Sequence, residues 1–254
     1  MFGLETWQFW TAMAVTAFAG FVKGAIGFAM PIITMSAFGS IMSPTTALAA
    51  LILPTLVTNI QQAGRQGPAE AWRSVVRFRW HIGMVLIFIC VSASFARGIP
   101  KSLMFALLGV PIVGFALWQL SGRPLALPLH HRRRAEIVTG IIGGLYGGIS
   151  GIWGPPLIVL LLSLGVEKRE QVRIQGVVFL LGAVTMTVAH LTTGVLNAQT
   201  LPLSAVLCIP AFAGMMAGFA LQDRLDVVQF RRWTLILLVL SGGNLIRRAF
   251  ASWD

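Results

Sequence analysis

The sequence predicts an all-α polytopic membrane protein made of two inverted repeats, each a glycine/proline-broken helical hairpin followed by three transmembrane helices. Three observations carry that expectation. The chain is 56% hydrophobic and only 11% charged, where a soluble chain carries about 25% charged residues. Several apolar runs reach the roughly 20 residues that cross a bilayer. The pattern G-x3-G-x2-G-x3-P also occurs twice, 124 residues apart: Gly20, Gly24, Gly27 and Pro31 in "GFVKGAIGFAMP" match Gly144, Gly148, Gly151 and Pro155 in "GLYGGISGIWGP".

In chain order, repeat 1 covers residues 1–127, with a broken hairpin at 6–40 and spans at 44–63, 80–96 and 102–120. The Arg-rich link "SGRPLALPLHHRRRAE" closes it. Repeat 2 covers 128–254, with a broken hairpin at 135–165 and spans at 174–193, 201–221 and 233–250. A straight helix of about 35 residues would be about 52 Å long, against a hydrocarbon core of about 30 Å. Each long run is therefore one kinked span or two short arms that return to the same side.

The distribution of basic residues decides between them, because cytoplasmic loops carry the excess of Lys and Arg. Single crossings divide the Lys and Arg, Lys23 aside, ten to eight. Hairpins place fourteen on one face: Arg65, Arg73, Arg77, Arg79, Arg123, Arg132, Arg133, Arg134, Lys168, Arg169, Arg173, Arg224, Arg231 and Arg232. Four remain opposite: Arg97, Lys101, Arg247 and Arg248. A hairpin plus three spans is an odd number of crossings, so the second repeat enters inverted and both termini lie outside. The net charge of +11 then reports orientation, and no nucleic-acid partner is expected. "MFGLETWQFW" has no basic n-region, so no removable signal peptide is expected. Cys90 and Cys208 fall in apolar runs without metal-like spacing.

Interrupted helices in inverted repeats are a transporter architecture, with substrate held where the breaks meet near the midplane. Pro31 and Pro155 suit the first turn of a second arm, where a missing N–H costs nothing. Gly24, Gly27, Gly148 and Gly151 let main chain approach a ligand, and helix N-termini there attract an anion. The competing reading is that these glycines are close-packing contacts between helices. Lys23 would add a full positive charge, or else snorkel or contact carbonyls at the break. Trp153 and Tyr146 flank the second break. Asn59, Gln175 and His190 are polar candidates beside the site, alongside Thr58, Gln61, Gln62, Thr185 and Thr187. Arg173 is assigned to the cytoplasmic face.

The acidic residues Glu5, Glu70, Glu136, Glu167, Glu170, Asp223, Asp226 and Asp254 lie in loops or at span ends. No core carboxylate pair, metal spacing or nucleophile–base signature stands out, so neither an intramembrane enzyme nor a metal or other cofactor is expected.

The duplicated motif, followed by "PTTALAALILPTLVTNIQQAG" and "EKREQVRIQGVVFLLGAVTMTVAHLTTG", resembles the TauE/SafE (sulfite exporter) family of bacterial membrane proteins. The resemblance covers essentially the whole chain. It implies a transporter in the bacterial cytoplasmic membrane that exports sulfite, sulfoacetate or a related organosulfonate, and some members are associated with uptake. Only the eight motif positions carry over from the family. The partners expected are a small anion and the bilayer; carriers commonly form homodimers, although no residue here argues for one. The alternatives are proton-linked uptake of a sulfonate or carboxylate through His81 or His190, and an anion channel.

Overall fold

The computed structural model describes residues 3–64, 67–122, 131–221 and 226–252. Arg65, Arg123, Asp223, Arg224, Asp254, the side chains of Lys168 and Arg169, and the junction of the two repeats at 127–128 lie outside the described residues. The described chain is all-helical: α1 (Thr6–Ile26), α2 (Met30–Ile41), α3 (Pro44–Gly64), α4 (Pro68–Arg77), α5 (Arg79–Phe95), α6 (Lys101–Leu120), α7 (Arg132–Ser150), α8 (Gly154–Ser163), α9 (Lys168–Thr192), α10 (Leu201–Leu221) and α11 (Val227–Ala251). Helices α1, α3, α6, α9, α10 and α11 are long and apolar enough to cross a membrane. The pair α4–α5, bent by 82°, adds a seventh candidate, and α2 and α8 are shorter apolar helices.

The repeated motif breaks both long runs by the same local chemistry. Helix α1 stops at Gly27 (φ 85°), whose N–H donates to the Lys23 carbonyl at 2.8 Å. Helix α7 stops at Gly151 (φ 72°), whose N–H donates to the Gly147 carbonyl at 2.7 Å. A left-handed residue after the last turn is the usual glycine cap, and a side chain there would be strained. Pro31 and Pro155 then fall in the first turn of α2 and α8, as the sequence leads one to expect. The first arm is the longer in each hairpin, 21 residues against 12 and 19 against 10. At about 1.5 Å per residue α1 alone is about 31 Å long, so the first arm is not short.

Two compact units follow, each gathering separated pieces of chain: 1–54, 97–123 and 195–254 form one, and 55–96 with 124–194 form the other. In the first unit α1 packs on α10 through main chain. A Cβ on Gly20 or Gly24 would overlap the carbonyl oxygen of Ala211 or Met215, and one on Gly214 or Gly218 would overlap that of Ala17 or Phe21. The two helices run in the same direction, and break 1 sits level with the end of α10. Helix α2 folds back along α1, because Gln8 Nε2 near the start of α1 donates to the Ile41 carbonyl at 2.7 Å. It lies beside α11 through Ser36 to Ser241 at 2.8 Å and Asn244 Nδ2 to Ser40 Oγ at 2.7 Å. The Arg248 guanidinium donates to the Gly39 carbonyl in the last turn of α2. Pro54 removes the N–H that would bond the Ala50 carbonyl, and the Ser204 hydroxyl donates to that oxygen instead, at 3.2 Å.

In the second unit α7 packs on α5 in the same manner. A Cβ on Gly140 would lie 2.6 Å from the His81 carbonyl oxygen, and one on Gly144 would lie 2.7 Å from that of Val85. One on Gly148 would overlap Ser92 Oγ, which donates to the Gly144 carbonyl at 3.1 Å. Helix α7 starts beside Arg77, whose carbonyl accepts from Arg132 Nη2 at 3.3 Å. Break 2 therefore lies toward the Phe95 end of α5, opposite the end that carries Arg79.

In lipid, helices have no hydrophobic drive to associate, so close packing of main chain matters more than in water. Overpacking typically costs 1–3 kcal/mol. We expect Gly24→Ala to lower the melting temperature in detergent by an amount corresponding to ~2 kcal/mol. Gly114→Ala, with nothing near its Cβ position, should be neutral or slightly stabilising. Equal melting of Gly24→Ala and the parent would mean that the α1–α10 contact yields freely.

Candidate functional site

Each unit carries one break, and the polar groups around each are distinct. At break 1, Lys23 occupies the last turn of α1 and is buried, 2% exposed. It sits at the C-terminal end of α1, where the helix dipole favours a positive group. Gly24 is committed to the α10 contact, Gly27 to the cap, and Pro31 to the start of α2. After Phe28 comes Ala29, a left-handed non-glycine residue (φ 80°), and the first bond of α2 runs from Ile33 N–H to the Ala29 carbonyl at 2.9 Å. A second cation reaches this break. Arg231 of α11 sits 6.0 Å from the centre of the Phe28 ring and donates to Gln119 Oε1 at 2.5 Å. Sequence reasoning placed Arg231 with the cytoplasmic loop charges; its position one turn inside α11 was the available signal.

Break 2 is built around Trp153, the residue preceding α8. Its side chain is 2% exposed and lies between two glycines of different helices. A Cβ on Gly147 of α7 would lie 3.2 Å from Trp153 Cβ, and one on Gly182 of α9 would lie 2.8 Å from Trp153 Nε1. Phe179 of α9 meets the indole edge to face at 6.5 Å. The indole N–H has no hydrogen-bond partner among the described residues. Pro155 and Pro156 carry no N–H, so Gly154 alone among the first three residues of α8 has one.

His190 explains how break 2 is held. The Ile152 N–H, which a continuing helix would give to the Gly148 carbonyl, donates instead to Ser150 Oγ at 3.1 Å. The Gly148 carbonyl accepts from His190 Nε2 at 2.7 Å. A carbonyl can only accept, so Nε2 carries the proton and His190 caps the carbonyl that the break leaves open. Asn59 does similar work on the same helix: its Nδ2 donates to the Phe179 carbonyl at 2.9 Å, and its side chain is 1% exposed. Gln175 lies one turn before Phe179 on α9 and is also buried. The second unit thus brings Asn59, Trp153 and His190 onto α9, with Gly148, Gly151 and Pro155 shaping the break they surround.

Two of the other polar candidates, Thr187 and Arg173, have local tasks. Thr187 donates to its own helix at Ala183, 2.7 Å away. Arg173 bridges Glu70 at 2.6 Å and Glu170 at 3.3 Å. Arg73 pairs with Glu70, and Arg77 pairs with Glu170. Glu136 sits at a span end as expected, yet it is buried, 3% exposed, and pairs with Arg132 Nε at 2.8 Å. His81 is fully buried. The Thr139 hydroxyl donates to the Ala135 carbonyl at 2.7 Å and so accepts from His81 Nδ1 at 3.0 Å, which leaves Nε2 the acceptor nitrogen of the neutral ring. Among the described residues no three His, Cys, Asp or Glu side chains gather as a metal site.

The family model described as "Sulfite exporter TauE/SafE" matches residues 12–245. No curated protein and no solved structure is significantly similar to the chain. A match over nearly the whole chain, on a fold with six helices of spanning length, makes this multi-pass membrane protein a member of the TauE/SafE sulfite exporter family.

Proposed function

We propose that the protein exports a small sulfur-containing anion, such as sulfite, sulfoacetate or a related organosulfonate, by alternating access across the bacterial cytoplasmic membrane. It acts as a carrier and not as an enzyme. The observation that carries the reading is the buried Trp153 indole N–H without a partner among the described residues, beside the start of α8. A buried donor left unpaired costs about 1–3 kcal/mol. An oxyanion supplies the missing acceptor, and the N-terminal end of a helix favours its charge. Within the first unit, Lys23 and the turn from Gly27 to Pro31 offer an anion a positive site at break 1, with Gly24 holding α1 on α10. Within the second unit, Gly151, Trp153 and Pro155 offer an anion a site at break 2, with Gly148 packed on α5, Asn59 and His190 anchoring α9 beside it, and Gln175 one turn away on α9.

The two broken hairpins belong to inverted repeats, with the arginine-rich helix ends in the cytoplasm and both termini outside. With the cell interior negative, an anion is driven outward by about 2.3 kcal/mol per charge per 100 mV. That force is sufficient for export without a coupled proton. One observation favours a second reading, proton-linked uptake: His81 Nε2 is a buried acceptor without a partner among the described residues.

Solid-supported-membrane currents from reconstituted protein test both. A jump of sulfite or sulfoacetate should move negative charge, chloride should not, and Lys23→Ala should abolish the current. Trp153→Phe keeps the ring but deletes the N–H, and should raise the half-saturating anion concentration about tenfold, the equivalent of one charge-assisted hydrogen bond of ~1.5 kcal/mol. Unchanged saturation in Trp153→Phe would remove the indole from the site. Under voltage clamp, collapsing the pH gradient should leave the current intact; its disappearance, especially if His81→Gln abolishes the pH dependence, would establish the proton-linked reading instead.

A further inference from the structure

We infer that the arginine-bearing end of α5, with α4 and the first turn of α7, binds the phosphate headgroup of an anionic phospholipid. Helix α4 leaves the axis of α5 at 82°. Because α5 belongs to a membrane span, α4 then runs close to the membrane plane. Its face toward the protein carries Ser74, 3% exposed. Its outer face carries Trp72 and Val76, one turn apart and 68% and 46% exposed. An apolar stripe on an in-plane helix, with Trp at its centre, is suited to the headgroup layer and poorly suited to water.

The charges beside this stripe select the lipid. Arg73, Arg77 and Arg132 are each engaged by a carboxylate. Arg79, Arg133 and Arg134 have no carboxylate partner among the described residues, and all three are exposed. Two of them converge on one half-buried ring: the Arg133 guanidinium is 3.9 Å and that of Arg79 is 5.7 Å from the centre of Trp80. Stacking on an indole holds a guanidinium in place while leaving its N–H edges open, and those edges match a phosphodiester in two-point fashion. Basic clusters at the ends of spans are where anionic headgroups bind. Helix α4 is also joined to α9 through the Arg77–Glu170 and Arg173–Glu70 pairs, so an occupied headgroup site steadies the helix that carries Phe179 and His190.

The test compares melting of the full-length protein in detergent supplemented with phosphatidylglycerol or phosphatidylcholine at equal mole fraction. Phosphatidylglycerol should raise the melting temperature above the phosphatidylcholine value. That increment should disappear in Arg79→Gln/Arg133→Gln, shrink in Trp72→Ser and persist in Lys101→Gln. Equal melting in the two lipids would overturn the proposal, as would an increment that survives the double substitution. An equal increment from inorganic phosphate alone would make this a free-anion site and not a lipid site. Should the double variant fold poorly in phosphatidylcholine, Arg133→Gln alone and a sodium chloride titration of the parent decide the matter. The increment must fall in both, and an increment indifferent to salt would refute a headgroup contact.

Discussion

Hydrocarbon offers no hydrogen bonds, so every backbone group freed inside it has to find a partner within the protein. This constraint organises the structure more than any single contact. Among the places where the chain vacates a helical bond are the two glycine–proline breaks and Pro54. At these three a specific side chain or turn takes over the vacated bond. Gly27 and Gly151 close the last turns of α1 and α7 on themselves. Ser150 captures the Ile152 N–H, and His190 captures the Gly148 carbonyl. Ser204 meets the carbonyl that Pro54 strands, and Arg248 meets one at the end of α2. The irregular backbone is thus fixed partly by its own last turn and partly by His190, Ser204 and Arg248 from other helices.

The same constraint explains why the repeated motif needs three glycines and not one. The last glycine of each copy is the left-handed cap, which the break itself requires. The first two face another helix at main-chain distance: Gly20 and Gly24 on α10, Gly144 and Gly148 on α5. Helix breaking and close packing are divided among different glycines of one motif. The division is physically sensible, since a cap needs positive φ while a packing site needs only the absence of a Cβ.

Much of this was legible from the sequence, and the residues show why. Spans at 44–63, 102–120 and 201–221 are continuous apolar runs bounded by turn residues, and helices α3, α6 and α10 begin and end within a residue of them. Helix α4 escaped because "PAEAWRSVVR" is too short and too charged to read as a span, and its structure follows from lying along the surface. Nothing local marks His190 as the cap of a carbonyl 42 residues earlier, nor Asn59 as a donor to Phe179, 120 residues later. Such bonds depend on which helices meet, and period and composition do not encode that. The burial of Glu136 was hidden for the same reason, since a carboxylate at a span end is ordinarily solvated.

Helix α9 is where these threads meet in the second unit. Its N-terminal turn is held by ion pairs to α4, at Glu170 and Arg173. Its middle receives Asn59 and abuts the Trp153 indole through Gly182. Near its C-terminal end His190 holds the Gly148 carbonyl at the break. Moving α9 along its axis would therefore disturb the break directly, because the capped carbonyl would have to exchange its donor. The ion pairs to α4 are only partly buried and so weaker, whereas the fully buried imidazole–carbonyl bond is costly to leave unmade. Helix α9 is thus most easily displaced at its α4 end, N-terminal to the buried Asn59–Phe179 and His190–Gly148 bonds that hold the rest of it.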